Sequence, residues 1–174
     1  MLEQVANSIG QSLGKRVRII NQRPLSGGSI NQVSCIGLDN GSDYLLKTQT
    51  GTIAENTFQI EYDSLLLLAE SKTIRVPAPL VFDDAFLVME FISKGKKAAD
   101  WQEQMGRNLA LLHQYAQQKK YGYHCDNYLG TSLQINAWQD DWVTFWRANR
   151  LEPQLNLFSH VRGVTPFGQL MLYE

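Results

Sequence analysis

The spacing of apolar residues changes several times along the first half of the chain, and each change predicts a different element. Steps of three and four residues predict an amphipathic N-terminal helix through Leu2, Val5, Ile9 and Leu13. Short apolar runs at 17–20, 33–36 and 44–47 then predict three antiparallel strands. Asp39-Asn40-Gly41 predicts a hairpin between the last two of these strands.

A second helical pattern surrounds Glu61. Its apolar positions are Phe58, Tyr62, Leu65, Leu66 and Ala69. Glu61 lies inside this stripe, so we expect its carboxylate to point inward, where an unpaired charge costs several kcal/mol in order of magnitude. Lys47, in the apolar run 44–48, is the best candidate for a compensating cation. The alternative is that Glu61 lies at the border of the stripe and reaches water.

The polar segment 93–97 predicts a boundary near residue 95, between a strand-rich part (1–95) and a mainly helical part (96–174). Before this boundary, the sequence predicts an extended segment at 76–82 and a buried strand at 85–92. After it, Asp100 can cap a helix whose core-facing positions are Met105, Leu109, Leu112 and Ala116. Residues 121–130 are rich in turn formers and predict an ordered loop.

A further helix is predicted from about Asp140, with Trp142, Phe145 and Trp146 on one side. Such an aromatic stripe usually packs in a core. The alternative is that exposed rings, together with Trp138 and the amides of Gln134 and Asn136, contact a sugar.

Composition narrows the classes of function. In 174 residues, Lys+Arg 16 against Asp+Glu 17 leave a net charge of -1, so no global field would attract nucleic acid or an anionic membrane. A hydrophobic content of 44% is enough for a core. No signal peptide or membrane-spanning run is evident, and Cys35 and Cys125 lack metal-ligand spacing. We expect a cytoplasmic protein with reduced thiols.

A glycine pair precedes the predicted Lys47–Glu61 contact. Backbone at Gly27-Gly28 can approach phosphate oxygens closely because no Cβ intervenes, and Lys47 could supply positive charge to those oxygens. The arrangement predicts the phosphate-holding part of an ATP site.

Several segments occur in the order typical of the fructosamine (ketosamine) kinases, and the chain resembles this family from about residue 5 to residue 155. The matching segments are 26–31, 44–47, 58–61, 76–80, 86–91, 109–113, 121–123, 126–130, 134–138, 141–142 and 150–155. The resemblance implies an α+β, protein-kinase-like fold: an antiparallel-sheet N-lobe with one key helix, then the first helices of a helical C-lobe. The remainder of that C-lobe would be absent.

The same resemblance implies site residues and ligands. Gly27, Gly28 and Ser29 would cover the ATP phosphates, Lys47 would contact them and Glu61 would hold Lys47. Adenine would be held by the segment Met89, Glu90, Phe91 and Ile92. The reaction would transfer the γ-phosphate to a sugar hydroxyl of a ketosamine, with Mg²⁺ as the family's metal. On the acceptor side we expect Asp126, Asn127, Trp138 and Trp142.

The family's catalytic and metal-binding aspartates, in His-Gly-Asp and Asp-Pro elements, have no counterpart in the 174 residues. No catalytic residue or metal ligand is therefore assigned, and we expect the chain to be inactive alone. Residues 161–174 depart from the family pattern, as in a truncated, frameshifted or naturally shortened relative. Apolar helix faces left uncovered would favour self-association.

Two other functions stay open. One is a non-catalytic nucleotide-binding or interaction module that retains Lys47 and Glu61 as structural groups. The other is a phosphotransferase of the aminoglycoside or choline kinase type, although 126–130 and 140–142 favour ketosamine kinases.

Overall fold

The computed structural model describes residues 1–26, 31–49, 56–115, 118–130 and 132–162, the last four of these as backbone only. The chain divides into two compact units, residues 1–117 and 118–174, which are described separately. The division into functional lobes near residue 95 stays a prediction.

The first unit is built on an antiparallel five-stranded sheet with strand order β1-β2-β3-β5-β4. Its strands are β1 (Ile19–Leu25), β2 (Asn31–Leu38), β3 (Asp43–Gln49), β4 (Pro79–Asp83) and β5 (Phe86–Glu90). Helix α1 (Leu2–Leu13) precedes the sheet, α2 (Thr57–Glu70) connects β3 to β4, and α3 (Trp101–Tyr115) follows β5. The α+β class and the antiparallel sheet predicted from sequence are confirmed.

The turn between β2 and β3 forms where Asp39-Asn40-Gly41 predicts it. Gly41 has a φ of 84°, a conformation that glycine adopts without steric cost, and its N–H donates to the Leu38 carbonyl at 3.0 Å. The Asn40 side-chain oxygen accepts from the Ser42 N–H at 2.9 Å. This turn fixes the register in which Val33 lies opposite Lys47.

Helices cover the two faces of the sheet. On one face, α1 contributes Val5 and Ile9 to a core that includes Ile36, Leu46 and Val88. On the other, Phe58 of α2 packs with Leu87 and Met89, and with partly buried Leu45, Tyr62, Leu65 and Phe82. Because side chains alternate along a strand, Lys47 shares the α2 face with Leu45.

Helix α2 buries a narrower stripe than predicted. Phe58 is fully buried and Tyr62 and Leu65 are half-buried, but Leu66 and Ala69 are exposed. The prediction for these two residues was wrong because the α2 side chains that pack on β4 and β5, Phe58, Tyr62 and Leu65, all come before them along the helix. Leu66 is rotated about 100° from Leu65 and points away from those strands.

Helix α3 leaves its apolar stripe largely exposed, in line with the expectation of uncovered helix faces. Met105 is 57% exposed and Leu109 is 41% exposed, and no described residue of α3 is buried. No described element covers the stripe that the periodicity marks as core-facing; its last member, Ala116, lies outside the described residues. Asp100, expected to cap α3, accepts a hydrogen bond from the Gln104 side chain at 2.8 Å.

The second unit contains a small hairpin followed by helical turns. Residues 121–130, predicted to be a loop, include β6 (Asn127–Leu129), which pairs with β7 (Ser132–Gln134). Strands this short are hard to detect by alternation, so the prediction missed them. Helix α4 (Trp142–Trp146), a π-helical turn (Arg147–Leu151) and α5 (Glu152–Arg162) follow. Asp141 caps α4 by accepting from the Thr144 N–H at 2.7 Å.

Of the helices in the described ranges, none combines the length and the apolar character required to cross a membrane.

Candidate functional site

Lys47 occupies a central position on the α2 face of the sheet. On β3 it lies opposite Val33 of β2 on one side and Leu87 of β5 on the other. Strand alternation places these three side chains in one row, with Leu45 and Met89 in the next row on the same face. The Lys47 side chain is therefore surrounded by apolar side chains of the sheet.

Glu61 of α2 binds this ammonium with both carboxylate oxygens. Nζ of Lys47 lies 2.7 Å from Oε1 and 2.5 Å from Oε2 of Glu61. The two side chains are 20% and 33% exposed, so the ion pair is neither fully buried nor a surface contact. The contact expected between Lys47 and Glu61 is therefore present, while Glu61 also keeps some access to water.

The glycine segment predicted to cover phosphates, Gly27, Gly28 and Ser29, lies outside the described residues. The strands on either side of it are described: β1 ends at Leu25 and β2 begins at Asn31. These two strands pair with each other, and Val33 of β2 lies opposite Lys47.

Asn31, which the sequence analysis did not single out, has an unusual environment. Its side-chain oxygen Oδ1 is buried and has no hydrogen-bond partner among the described residues. Strand alternation places Asn31 on the same face as Val33, the residue opposite Lys47. An unsatisfied buried acceptor costs about 1–3 kcal/mol, so this oxygen is suited to receive a donor from a ligand or an ordered water.

The predicted adenine segment begins inside the core and ends at the surface. Met89 is buried, Phe91 is partly buried and Ile92 is 41% exposed. Glu90 is held by two groups from the segment before β4: Arg75 Nη2 at 2.5 Å from its Oε1 and the Ala78 N–H at 3.2 Å from its Oε2.

These contacts have an electrostatic consequence. The Ala78 N–H, and secondly the Arg75 guanidinium, hold the pKa of the Glu90 carboxyl below its ordinary value. Arg75 was not predicted, because its contact with Glu90 depends on how the segment before β4 lies against β5.

In the second unit, Asn136 joins the segments that carry the predicted acceptor residues. It is 2% exposed, and its Nδ2 donates at 3.0 Å to both the Cys125 carbonyl and Asn127 Oδ1. Asp126 Oδ1 accepts from the Asn136 N–H at 2.7 Å. The side-chain amide of Asn136 is thus engaged internally, and the suggestion that it contacts a sugar is wrong.

The aromatic residues of this unit divide into buried and half-exposed groups. Phe145 is buried, whereas Trp138 is 45% and Trp142 is 50% exposed. Trp138 packs on Gly122, where a Cβ would come within 2.9 Å of its ring. The Trp142 ring centroid lies 5.6 Å from that of Tyr121 and 5.7 Å from that of Trp146. Trp138 and Trp142 therefore keep ring surface available for contacts.

Within the described ranges, no group of three or more His, Cys, Asp or Glu side chains is arranged to hold a metal ion. The described residues thus give no candidate metal centre.

Comparison with known proteins identifies the family. A sequence model of the family described as "Fructosamine kinase" matches residues 1–171, which extends the resemblance beyond residue 155 and into the segment expected to depart from the family. The chain is 34% identical over 168 residues to a Synechocystis protein assigned as a ketoamine kinase, covering 94% of this chain and 56% of that protein. A chloroplastic protein-ribulosamine 3-kinase of Oryza sativa subsp. indica is 35% identical over 167 residues, covering 92% and 46% of the two chains.

Comparison with solved structures supports the same family. A crystal structure from Haemophilus somnus, assigned as a fructosamine-3-kinase, superposes with a TM-score of 0.79 at 28% identity and covers 91% of this chain and 54% of that one. The chain thus spans about half the length of these relatives. By sequence and by fold, this chain belongs to the fructosamine kinase family.

Proposed function

We propose that this chain provides the nucleotide-binding part of an ATP-dependent kinase that phosphorylates a sugar hydroxyl of ketosamines. The observation that carries the proposal is the contact of Lys47 with both carboxylate oxygens of Glu61 on an apolar sheet face. Kinases with this type of fold use such a Lys–Glu pair to hold the lysine against the nucleotide phosphates.

Within this site each residue has a specific task. Glu61 orients the Lys47 ammonium and limits the number of positions that it can sample. The partly exposed apolar side chains of Val33 and Leu45, on the same sheet face as Lys47, can supply surface on which an adenine ring packs. Gly27, Gly28 and Ser29 are proposed to donate backbone N–H groups to phosphate oxygens.

The surroundings of Asn31 and of Glu90 are two further observations that support the proposal. The Oδ1 of Asn31, which has no partner among the residues that the structure describes, can accept a hydrogen bond from a hydroxyl or a bound water at the nucleotide. The contacts of Glu90 with Arg75 and Ala78 hold the chain where it leaves β5, so that backbone groups of Phe91 and Ile92 can pair with the adenine edge.

ATP with Mg²⁺ would supply the phosphoryl group and neutralise its charge. Because no His-Gly-Asp or Asp-Pro segment occurs among these 174 residues, our proposal for the chain itself is limited to ATP binding. On the acceptor side we retain Asp126, Asn127, Trp138 and Trp142; the latter two expose ring surface of the kind that packs on sugars. Cytoplasmic location remains part of the proposal.

The experiment is a thermal melt of the purified chain with increasing ATP and Mg²⁺. A ligand that binds only the folded state stabilises it by about 2.7 kcal/mol at a hundredfold excess over Kd, so the melting temperature should rise measurably. Lys47→Ala should abolish this rise. Lys120→Ala is the matched control: Lys120 pairs with Asp140 at 3.0 Å on an exposed surface of the second unit, and its removal should leave the rise unchanged.

The outcomes separate the candidate functions. No shift with millimolar ATP would overturn nucleotide binding. A rise in melting temperature with ATP, without phosphate transfer to a fructose-lysine analogue, fits two candidates. One is an incomplete kinase, and the other is a non-catalytic nucleotide-binding module, which would also retain the Lys47–Glu61 ion pair. Adding a polypeptide that corresponds to the unmatched half of a relative decides between them, because only the incomplete kinase would gain activity.

Self-association is a further part of the proposal. Met105, Leu109 and Leu111 of α3 are 57%, 41% and 51% exposed, and in the second unit Trp146 is 49% exposed. Exposed apolar side chains in such numbers favour association. Light scattering that shows a monodisperse monomer at high concentration would argue against it.

A further inference from the structure

Arg150 belongs to the second unit and has no role in the proposed nucleotide site. It belongs to the π-helical turn Arg147–Leu151, a type of helical irregularity that is frequent at functional sites. Its guanidinium carbon is 4.7 Å from the centroid of the Phe145 ring, which covers one face of the group.

Within the described ranges, the hydrogen bonds of Arg150 go to neutral acceptors. Nη1 donates to the carbonyl oxygens of Ile135 at 2.8 Å and of Asn149 at 2.9 Å. Nη2 donates to Asn136 Oδ1 at 2.6 Å. These three bonds fix the plane of the guanidinium but do not compensate its charge.

The surroundings of its charge distinguish Arg150 from the arginines that form ion pairs. Arg75, Arg107 and Arg147 each contact a glutamate. For Arg150, no carboxylate lies within ion-pair distance in the part of the chain that the structure describes. Burial lowers the pKa of its guanidinium, as expected for a cation that is partly removed from water without a counter-ion.

The guanidinium also retains unused donors. It carries five N–H groups, of which three are accounted for by the bonds to Ile135, Asn149 and Asn136. The N–H of Nε and a second N–H of Nη2 have no acceptor among the described residues. A planar cation held rigidly with two free N–H groups matches an oxyanion, which can accept both.

We infer that Arg150 forms an anion-binding site in the second unit, which takes the carboxylate or phosphate group of a small-molecule ligand. The site is prebuilt: the buried Asn136, the carbonyl oxygens of Ile135 and Asn149 and the ring of Phe145 position the guanidinium before an anion arrives. This inference does not depend on ATP binding at Lys47.

The test is an NMR titration of the whole chain, following the assigned Nε–H signal of Arg150. Sodium phosphate and sodium acetate are added in separate arms at constant ionic strength. We expect a saturable shift with a Kd in the range of about 1–10 mM in at least one arm. The responding arm identifies phosphate or carboxylate as the preferred group.

Two variants sharpen the result. Arg150→Gln should weaken anion binding at least about tenfold, measured from anion-dependent stabilisation of the second unit. Arg147→Gln is the control, because Arg147 lies in the same turn but is exposed and paired with Glu152; it should bind anions as the unaltered chain does. Absence of a saturable Nε–H shift in both arms would overturn the inference, as would full binding by Arg150→Gln. If that variant does not fold, the titration of the unaltered chain still decides.

Discussion

Removing one member of the Lys47–Glu61 pair should cost more stability than removing a surface charge. At the observed separation of 2.5 Å, the attraction at an effective dielectric of 20 is about 7 kcal/mol. Partial desolvation of the two ions offsets most of this. Side-chain exposures of 20% and 33% place the pair between surface pairs, worth about 0–1 kcal/mol, and buried pairs, whose disruption costs about 3–5 kcal/mol.

We therefore expect Lys47→Met and Glu61→Gln each to lower the free energy of unfolding by about 1–2 kcal/mol, with a coupling energy of about 1 kcal/mol. The assay is urea unfolding of both single variants and the double variant, followed by far-UV circular dichroism. The same cycle on Glu103 and Arg107, exposed by 65% and 74% on α3, serves as the control, with an expected coupling of about 0.3–0.5 kcal/mol. If the coupling of Lys47 with Glu61 is no larger than that of the control, the reasoning about a partly buried pair is refuted.

Three further predictions concern stability. Leu46 is fully buried in the central strand β3, so Leu46→Ala should cost about 2–5 kcal/mol in urea unfolding; a loss below about 1 kcal/mol would contradict the core described above. Asn136→Ala removes three side-chain hydrogen bonds and should destabilise the second unit by about 2–4 kcal/mol. Urea unfolding followed by tryptophan fluorescence measures this loss, and an unchanged unfolding midpoint would argue against the central role of Asn136. The hydrogen bond from the Thr144 N–H lowers the pKa of the Asp141 carboxyl in the folded state. The stabilisation of α4 by this carboxylate is therefore fully present above the ordinary pKa of 3.8 and is lost as pH falls through the lower folded pKa. Asp141→Asn should retain the cap and remove this acid transition, as followed by circular dichroism.

The elements that the sequence predicted well are those determined by local pattern. The helical period around Phe58 and the turn at Gly41 are each set by neighbouring residues. The contact of Lys47 with Glu61 could be predicted because a charge inside an apolar stripe requires a partner, and few cations lay within reach.

The remaining features depend on long-range packing. The contact of Arg75 with Glu90 requires the two segments to lie side by side, and no local pattern encodes this. Likewise, Asn136 resembles any polar residue near a turn until the fold surrounds it with Cys125, Asn127 and Arg150. For α3, periodicity marks an apolar face but does not specify what covers it, and among the described residues this face stays exposed, as expected.

Location of the nucleotide is the central claim, and an amide NMR titration of the labelled chain with ATP and Mg²⁺ tests it most directly. We predict saturable shifts concentrated at Asn31, Val33, Leu45 and Lys47, on the sheet face that carries the ion pair with Glu61. Shifts confined to the opposite face, around Val5 and Ile9 of α1, or no saturable shift at millimolar ATP, would contradict the account.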